Sequence, residues 1–547
     1  MYLLNQIGEW NPQLLRELKG RLTPINIAIV TAISLIGQVI VFLYYISLLP
    51  SYEGWNRYCS TAESCFQNLK GEWVIIKELW WLDIFIALSI IGIFILLVGG
   101  TYLLVTDVAN EEKKGTLDFV RMSPTKTTTI FLGKILGVPI LIYALAMLAA
   151  PLHWFSGLKA GIPWALILGY YAVLVASLFC CYSLAVLYSL ISSKLEGFQP
   201  WLASGGVLVL TSIVAVWVGS RHFEPGRNMV DWLLLFYPGT ALHYLVKATF
   251  LAPDTVGYLD LNNLAQLYWY GKPVMGQVIT GITLMLFNYA LWSYWTWLGI
   301  RRRFYNPQGT VLTKRHSYWL SFSFIVMTLG LTLQEELWPN GVNHFAVLQL
   351  ANLVFCWILI AMLTPQGQIL QDWARYRHQQ SQNKRNLLRD LCLGEKSPAV
   401  LAIAINLGIT TLYIIPSVFL LVQSEARLPI LAGWLLSANL ALISALLVQL
   451  WLQTHNPKRA IWAIANLGVV TVIPLMGFAW LQIEPHQKPG LWLFSILPTL
   501  GTGMAGGLTI VLACLTQWLA IALLTGTMTY RLTKVGESDT KILTATK

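Results

Sequence analysis

Long apolar stretches recur along the whole of this 547-residue chain. A bilayer core about 30 Å thick needs about 20 apolar residues in an α-helix. Candidates lie at about 25–49, 80–105, 131–151, 163–192, 201–220, 276–300, 317–333, 345–364, 398–422, 428–452, 460–481 and 501–530. Only 11% of the residues are charged, less than half the share in an average soluble domain. The sequence therefore predicts an all-α polytopic membrane protein with about twelve transmembrane helices.

The distribution of basic residues predicts the orientation of these spans. With the N-terminus inside, 26 Lys and Arg fall on the cytoplasmic side and 10 on the external side. Basic residues collect on cytoplasmic loops, so we expect both termini to be cytoplasmic. The placement of basic residues on cytoplasmic loops then accounts for the net charge of +11. Because this charge needs no other explanation, we expect no nucleic-acid partner.

The two halves of the chain follow the same plan. Each has six spans, and the longest cytoplasmic loop of each half follows its second span, at 106–130 and 365–397. Because six is even, the halves would be parallel repeats. We predict two domains, 1–305 with an N-terminal interface helix over 11–22, and 306–547. Coincidence is the alternative, since helical hairpins of similar length are common in polytopic proteins.

The segment 11–22 has the pattern of an amphipathic helix. Asn11 is a favourable N-cap, and Pro12 suits the first helical position. The leucines share one face, and the charged residues, among them Glu17 and Arg21, share the other. Such a helix is expected to lie in the membrane interface before the first span.

Charged residues are scarce within the predicted spans. Asp83 lies near the outer end of the second span, and Glu335 and Glu336 lie at the outer end of the seventh. We expect all three carboxylates to reach water, because a charge at the bilayer centre costs about 2.5–3.5 kcal/mol on insertion scales. This scarcity argues against an ion-coupled secondary transporter, whose coupling ions need polar sites near the midplane.

Two cysteines, Cys59 and Cys65, share the external loop 50–79. A disulfide is chemically allowed outside the membrane, where the environment is oxidising. The sequence leaves two alternatives open, a disulfide that closes a small loop and a pair of free thiols.

No catalytic or nucleotide-binding motif is present in the sequence. Nothing fits G-x-x-x-x-G-K-[ST], H-E-x-x-H or C-x-x-C, so we expect no catalytic, cofactor-binding or metal-binding residues and no nucleotide hydrolysis. A membrane-embedded transferase acting on lipid-linked substrates would need acidic residues that converge. The predicted external segment between the fifth and sixth spans offers four acidic residues whose spacing matches no catalytic motif, namely Glu224, Asp231, Asp254 and Asp260.

One segment carries more information than the rest, TDVANEEKKGTLDFVRMSPTKTTTIFLGKILG at 106–137. It resembles the cytoplasmic loop of type-2 ABC exporter permeases, in which acidic residues precede Gly-Thr-Leu-Glu, a later Pro, and a Gly-Lys pair that opens the next span. The matching residues are Glu111, Glu112, Gly115, Thr116, Leu117, Pro124, Gly133 and Lys134, with Asp118 in place of the usual Glu. The resemblance covers roughly 8–300, and loop 365–397 lacks the Glu-x-x-Gly-Thr-Leu element.

The resemblance implies the transmembrane permease subunit of an ATP-driven exporter, itself not an enzyme, in a prokaryotic plasma membrane. A separate soluble ABC ATPase would bind the ATP, so no cofactor is expected on this chain, and a second permease chain is allowed. The implied coupling residues are Glu111, Glu112, Gly115, Thr116, Leu117, Asp118 and Pro124. The alternatives are the lipid-linked transferase and the ion-coupled transporter.

The coupling loop is predicted to form a short helix with a defined end. Glu111 and Glu112 are expected early in that helix, where carboxylates suit the positive end of its dipole. Pro124 is expected to end it, because the residue before a proline is disfavoured in helical geometry. Gly115 is expected to allow close approach of a partner's backbone.

Overall fold

The structure, a computed structural model, describes residues 2–51, 54–59, 65–69, 71–192, 197–220, 225, 228–333, 341–379, 387–454, 456 and 458–545. The chain divides into two compact units. The first unit comprises Met1–Pro225, Asp231–Leu267 and Pro273–Pro307. The second unit comprises Gly226–Val230, Tyr268–Lys272 and Gln308–Lys547. The main boundary thus follows Pro307.

Long helices form the frame of the first unit. Its α-helices are α1 (Tyr2–Trp10), α2 (Pro12–Arg21), α3 (Pro24–Ser47), α4 (Lys77–Phe94), α5 (Gly100–Lys113), α6 (Thr116–Arg121), α7 (Thr127–Gly137), α8 (Ile140–Lys159), α9 (Trp164–Ile191), α10 (Gln199–Gly219), α11 (Leu242–Lys247), α12 (Pro253–Val256), α13 (Leu261–Leu264) and α14 (Val278–Tyr305). A π-helical segment, Ile95–Gly99, joins α4 to α5. The 3₁₀ helices Met229–Phe236 and Pro238–Ala241 lie between α10 and α11.

The second unit continues the helical architecture. Its α-helices are α15 (Lys314–Thr332), α16 (Gly341–Leu363), α17 (Gly367–Gln379), α18 (Leu387–Leu393), α19 (Val400–Leu421), α20 (Ser424–Leu452), α21 (Arg459–Trp480), α22 (Pro489–Trp492), α23 (Pro498–Thr502) and α24 (Gly507–Ala545). The described residues contain one small sheet, in which β1 (Tyr268–Trp269) pairs with β2 (Lys272–Pro273).

Ten helices within the described residues are long and apolar enough to cross a membrane. They are α3, the continuous α4–α5 helix, α8, α9, α10, α16, α19, α20, α21 and α24. The sixth and seventh predicted spans also form helices, α14 and α15, but aromatic and polar residues lower their hydropathy. The fold is therefore an all-α polytopic membrane protein, and the predicted twelve spans exceed these ten helices by two.

The third predicted span, 131–151, is wrong as a single segment. The structure divides it between α7 and α8 at Val138 and Pro139. A proline lacks the backbone N–H and kinks or breaks a helix. At Pro139 the helix breaks and the next one begins, whereas Pro151 lies inside α8. The helix that is long and apolar enough to cross a membrane is α8, and α7 packs against α2 instead.

Three pairings of long helices recur in both units, whereas the fifth spans pack differently, α10 against α5 and α21 against α20. In the first unit, α9 contacts both α5 and α14, and α3 contacts α8. In the second unit, α20 contacts both α16 and α24, and α15 contacts α19. If the helices are numbered by predicted span within each half, these pairings are the same in both units. The fourth span contacts the second and the sixth, and the first span contacts the third. Parallel duplication of the halves remains a prediction, with which these three pairings agree and the packing of the fifth spans does not.

Candidate functional site

The predicted coupling loop is more helical than the sequence suggested. The helix of the second span continues through the loop as α5 and ends at Lys113, so Glu111 and Glu112 lie in its last turn. The prediction that they begin a helix is wrong, because nothing in 106–113 interrupts the helix that emerges from the span. Their carboxylates therefore lie at the negative end of the helix dipole, where other charges must offset them.

Gly115 ends one helix and begins the next. Its φ of +70° is left-handed, and it lies between α5 and the N-terminus of α6. A Cβ at this position would meet nothing within 4 Å. The structure thus assigns Gly115 a conformational role, since left-handed backbone disfavours side chains even where space is free.

The short helix α6 is anchored on one side and exposed on the other. Leu117 is fully buried, and the Thr116 hydroxyl donates to the Glu111 carbonyl at 3.1 Å. Asp118 pairs with Arg121 one turn later. The helix ends at Arg121, before Pro124, which lies in the turn that leads to α7. These contacts fix α6 as a rigid turn at the tip of the loop.

Two large apolar side chains project from this turn into the surroundings. Phe119 is 74% exposed and Met122 is 79% exposed. On the opposite side, the Arg121 guanidinium lies over the Phe304 ring at 5.7 Å from its centroid. Glu112 interacts electrostatically with Arg121 and Arg303. The turn is thus held against the C-terminal end of α14, while the side with Phe119 and Met122 is exposed.

Lys134 lies at the centre of an ionic network beneath this turn. Its side chain is 1% exposed, yet it carries an ammonium group. The Nζ donates to Asp107 Oδ2 at 2.6 Å and forms an ion pair with Glu111 Oε2 at 2.8 Å. Glu17 Oε1 lies 4.0 Å away. A buried charge is tolerated only when it is paired, and carboxylates from two other helices supply the pairing.

The amphipathic helix α2 completes this network with arginines. Arg21 Nη2 pairs with Asp107 Oδ1 at 2.7 Å, and its Nε pairs with Glu17 Oε2 at 3.2 Å. Arg16 pairs with Glu111. Three carboxylates and three basic side chains therefore balance one another. We refer to Arg16, Glu17, Arg21, Asp107, Glu111 and Lys134 as the Lys134 network.

The Gly-Lys pair of the resemblance has a clear structural reason. Asn11 caps α2 by accepting from the Leu14 N–H at 3.0 Å, and its Nδ2 donates to the Thr129 carbonyl at 2.8 Å. A Cβ on Gly133 would lie 2.8 Å from Asn11 Oδ1 and 2.9 Å from the Leu14 nitrogen. Gly133 therefore makes room for α2, and Lys134 then bonds to the charges that the packed helices bring near.

The packing of α2 differs from the prediction on one face. The predicted cap at Asn11 is present, and the apolar residues Leu14 and Leu18 are buried. Glu17, expected among the solvent-facing charges, is also buried because it enters the Lys134 network. The helix is therefore fixed to α7 by protein contacts, in addition to any contact with the membrane interface.

Three carboxylates of the network are close enough together to suggest a metal site. Ligand oxygens of Glu17, Asp107 and Glu111 all lie within 4.8 Å of one another. The Lys134 ammonium already lies within 4.0 Å of an oxygen on each. The donor set therefore fits a protein cation, which supplies the positive charge that a metal ion would otherwise provide.

Outside the loop, a second charged group lies in the N-terminal half of α4. Asp83 is 7% exposed, which corrects the expectation that it reaches water. Arg57 holds both of its oxygens, with Nε at 3.0 Å and Nη2 at 3.3 Å. The hydroxyls of Tyr58 and Tyr258 also donate to it. Residues distant in sequence thus neutralise this carboxylate.

The cysteines of loop 50–79 lie beside this group. Cys59 and Cys65 are joined by a disulfide, with their Cα atoms 5.3 Å apart. The adjacent residue Tyr58 donates to Asp83 at 2.9 Å. The disulfide and the Asp83 contacts together restrain the loop. Glu335 and Glu336 lie outside the described residues.

The acidic residues considered for a transferase have separate environments where they are described. Asp260 caps α13 by accepting from the Asn262 N–H, Asp254 is exposed, and Asp231 is buried. Glu224 lies outside the described residues. Within the described part of the chain, the acidic group compact enough for a metal ion is that of the Lys134 network.

The sequence analysis selected two of the six residues of the Lys134 network. It named Glu111 and Lys134 through the resemblance but did not connect them with Asp107, Glu17 or Arg21. One available signal was the four-residue spacing of Asp107 and Glu111, which places both on one helix face. The arginines on α2 carried no such signal, because their partners are distant in sequence. Comparisons with protein-family models, curated proteins and solved structures found no match to this chain.

Proposed function

We propose that this chain is the permease subunit of an exporter driven by a separate ATPase. The supporting observation is the Lys134 network, which joins α2, α5 and α7 beneath the exposed turn α6. Separating these helices would leave a buried ammonium without its carboxylates, at a cost of several kcal/mol. A force applied at α6 would therefore be passed to all three helices together.

The surface of α6 suits a protein partner. Phe119 and Met122 are exposed apolar residues beside the ionised pair Asp118–Arg121. Aromatic residues and methionine are enriched at protein interfaces, and a charged rim favours a defined orientation. The resemblance indicates an ABC ATPase, which would bind the ATP. The excess of basic residues on one side of the predicted spans supports a cytoplasmic location for α6 and both termini. The resemblance favours a prokaryotic plasma membrane.

The test is site-specific photo-cross-linking in cells of the source organism. A photoreactive amino acid replaces Phe119, and a matched control replaces Leu388, which is 70% exposed on α18 in the other loop. We expect the Phe119 probe to capture a soluble protein that contains a phosphate-binding loop and hydrolyses ATP. The Leu388 probe should capture less of it, because that loop lacks the matching element.

The proposal fails if the Phe119 probe labels only lipid or other membrane proteins. It also fails if the captured protein does not bind ATP. Purified chain free of that partner should hydrolyse no nucleotide, and robust ATPase activity of the chain alone would contradict the assignment. Neither the transferase nor the ion-coupled transporter is favoured by a specific contact in the described residues.

A further inference from the structure

A cavity of about 1330 Å³ lies within the second unit. The helices around it are α17, α18, α19, α20 and α24. This volume exceeds the roughly 300–1,000 Å³ of typical small-molecule sites. The proposed coupling function makes no use of this cavity.

The end of the cavity beside loop 365–397 does not select the charge of a ligand. The charged residues that line it are of both signs, namely Asp372, Asp390, Glu395, Arg377 and Lys396. Asp390 pairs with Arg377 at 3.3 Å, and Asp372 pairs with Arg375 at 3.7 Å. Acidic and basic groups therefore largely offset one another at this end.

The inner end of the cavity lies between helices without charged side chains. Leu401 on α19, Leu442 on α20 and Ile521 on α24 line this end. The sequence contains no Asp, Glu, Lys, Arg or His over 400–421, 428–453 or 507–530, the stretches of these helices that are apolar enough to cross a membrane. A charged ligand would find no counter-charge there, and a charge within the membrane is costly. The inner end therefore suits an uncharged ligand.

Two buried amides lie next to the inner end of the cavity. Asn439 on α20 is 4% exposed, and Gln517 on α24 is 5% exposed. Neither Asn439 Nδ2 nor Gln517 Oε1 has a hydrogen-bond partner within the described part of the chain. Asn439 lies one turn before Leu442, and Gln517 lies one turn before Ile521. Because residues three or four apart share a helix face, both amides lie on the faces of α20 and α24 that line the cavity.

The packing of α20 against α24 places the two amides at the same level. Leu436 packs with Ala513 in one apolar cluster. Further along both helices, Leu446 and Ile521 belong to a second cluster. Asn439 lies between the two clusters on α20, and Gln517 lies between them on α24. An N–H donor and a carbonyl acceptor, neither with a partner among the described residues, are thus held close to each other between two packed helices.

A third amide on the same face of α20 has the same property. Gln449 lies two turns after Leu442 and is 1% exposed. Neither its Nε2 nor its Oε1 has a partner among the residues that the structure describes. Buried polar groups without partners are costly, and native proteins contain few of them. Three such amides on the cavity side of two helices therefore indicate a site for a ligand.

Threonines continue the polar surface of α24 toward the loop. Thr525, Thr529 and Thr533 line the cavity and follow Ile521 at intervals of four residues. The Thr529 hydroxyl donates to the Thr525 carbonyl at 2.9 Å, and the Thr533 hydroxyl donates to the Thr529 carbonyl at 3.0 Å. Each hydroxyl oxygen can still accept a hydrogen bond. One wall of the cavity is thus polar and uncharged, whereas Leu401 and Leu442 make the facing walls apolar.

We propose that Asn439 and Gln517 bind the hydroxyl group of an uncharged amphipathic molecule that enters through this cavity. A hydroxyl both donates and accepts, so it satisfies the Gln517 carbonyl and the Asn439 N–H together. The apolar part of the molecule lies against α19 and α20. The binding site stands on the cavity and the amides alone. That the bound molecule is the one exported rests on the proposed permease function.

The first test maps the site by photolabelling. The purified full chain in phosphatidylcholine nanodiscs is labelled with octanol that carries a diazirine on its third carbon. We expect labelled peptides from segments 435–446 and 514–525, which contain the two amides and the lining residues Leu442 and Ile521. Labelling spread evenly over exposed helix surfaces, such as those of α3 and α21, would overturn the proposal.

The second test measures the chemical preference of the site by competition with molecules of equal chain length. Unlabelled octanol should compete at least about fivefold better than octane, which lacks the hydroxyl. It should also compete at least about fivefold better than octanoate and octylammonium, which carry opposite charges. Equal competition by octane would show an apolar cavity without hydroxyl recognition. Stronger competition by either ion would overturn the preference for an uncharged ligand.

Matched variants separate ligand binding from a role of the amides in packing. Gln517→Met and Asn439→Leu should each reduce octanol labelling at least about fivefold. Their Tm should stay the same or rise, because these side chains have no hydrogen bond to lose among the described residues. Asn466→Leu is the control, since this amide on α21 lies outside the cavity lining and donates to the Trp462 carbonyl at 3.0 Å. It should leave labelling unchanged.

The outcomes of this comparison are distinct. Unchanged labelling in both the Gln517→Met and Asn439→Leu proteins would refute the site, as would an equal loss in the Asn466→Leu protein. A lower Tm in step with lower labelling would show that the amides serve packing, which also contradicts the proposal. Labelling is measured without an ATPase, so its result does not depend on whether the Phe119 probe captures a partner.

Discussion

Among the described residues, each unit has one buried lysine near a loop between predicted spans, and the two lysines are held by different partners. Lys134 in the first unit meets the carboxylates of Asp107 and Glu111 at 2.6 and 2.8 Å. Lys314 in the second unit donates to three uncharged oxygens, those of Leu391, Ser397 and Pro398, at 2.7, 2.7 and 2.8 Å. The first lysine is neutralised by other charges, whereas the second is only solvated by the protein.

The two arrangements connect different parts of the chain. Lys134 joins α7 to residues of α5 and, through arginines, to α2. Lys314 joins the start of α15 to the last turn of α18 and to the residues before α19. A cation near the C-terminus of a helix is favourable for the helix dipole, so Lys314 stabilises a local junction. The Lys134 network is the one built to hold several helices as a unit.

Replacing Lys134 should produce the largest loss of stability. Lys134→Met leaves Asp107 and Glu111 without their central cation, and breaking a buried ion pair costs about 3–5 kcal/mol. We expect a markedly lower Tm of the purified protein and loss of transport. Lys126→Met, an exposed lysine that precedes α7, is the control and should change stability by less than about 0.5 kcal/mol. Equal Tm values for both variants would contradict the central role of Lys134.

Replacing Lys314 should cost less, because no carboxylate is left unpaired. Lys314→Met removes the partner of three buried acceptors, and we expect a loss of about 2 kcal/mol. The neighbouring exposed residue provides the control, since Arg315→Met should leave the Tm nearly unchanged. A loss as large as that of Lys134→Met would show that charge neutralisation is not what distinguishes the two sites.

The stability contribution of Lys314 should depend on pH. Lys314 precedes the predicted span 317–333, and burial lowers its pKa from 10.5 to about 8, which nearby Cys392 and Asp390 only partly oppose. Between about pH 8 and about pH 10 the unfolded chain therefore binds more protons than the folded chain, so this group makes the free energy of unfolding rise with pH. The stability advantage of the wild type over Lys314→Met should grow from about pH 7.5 to about pH 9.5. A constant or shrinking Tm difference would contradict this.

A smaller loss of stability is expected from a change in the helix packing next to Lys134, which has no counterpart next to Lys314. Gly133→Ala places a Cβ within 3 Å of α2, so α2 must shift, at a cost of about 1.5 kcal/mol. Residues 306–313, which precede α15 in the second unit, form no helix that would need such room. Gly205→Ala in α10, where nothing lies within 4 Å, should instead be neutral or slightly stabilising. If both variants have the same Tm, the close approach of α2 is not a source of stability.

The smallest effects concern the exposed ends of the two loops. Gly115→Ala forces a side chain into left-handed backbone and should cost about 1 kcal/mol. Gly115→Trp or Glu112→Arg should also abolish partner binding while membrane insertion persists. Arg389→Ala in the second loop should change stability by less than about 0.5 kcal/mol and leave partner binding nearly intact. An equal loss of partner binding from variants in the two loops would contradict the prediction that the first loop contributes more to coupling than the second. The variant Arg385→Ala changes a residue outside the described part of the chain.

Most of the helical frame could be predicted from the sequence. The apolar stretches are local features, and their length is set by the bilayer, so ten of the predicted spans correspond to helices long and apolar enough to cross it. The cap at Asn11 was also predictable, because an N-cap depends on neighbouring residues alone. The division of 131–151 into two helices was not predicted, although Pro139 is visible in the sequence. A prediction based on the length of apolar stretches does not consider whether each residue has a backbone N–H to donate.

The candidate site required the tertiary structure. The sequence by itself determined that charged residues flank the spans and that 106–137 resembles a coupling loop. It could not show that Lys134 meets Asp107, 27 residues earlier, or that Arg21 meets Asp107 across 86 residues. It likewise gave no sign that Asp83 is buried by Arg57 and two tyrosines. Hydropathy and capping depend on residues close in sequence, whereas ion pairs depend on which helices pack together, and only the folded chain decides that.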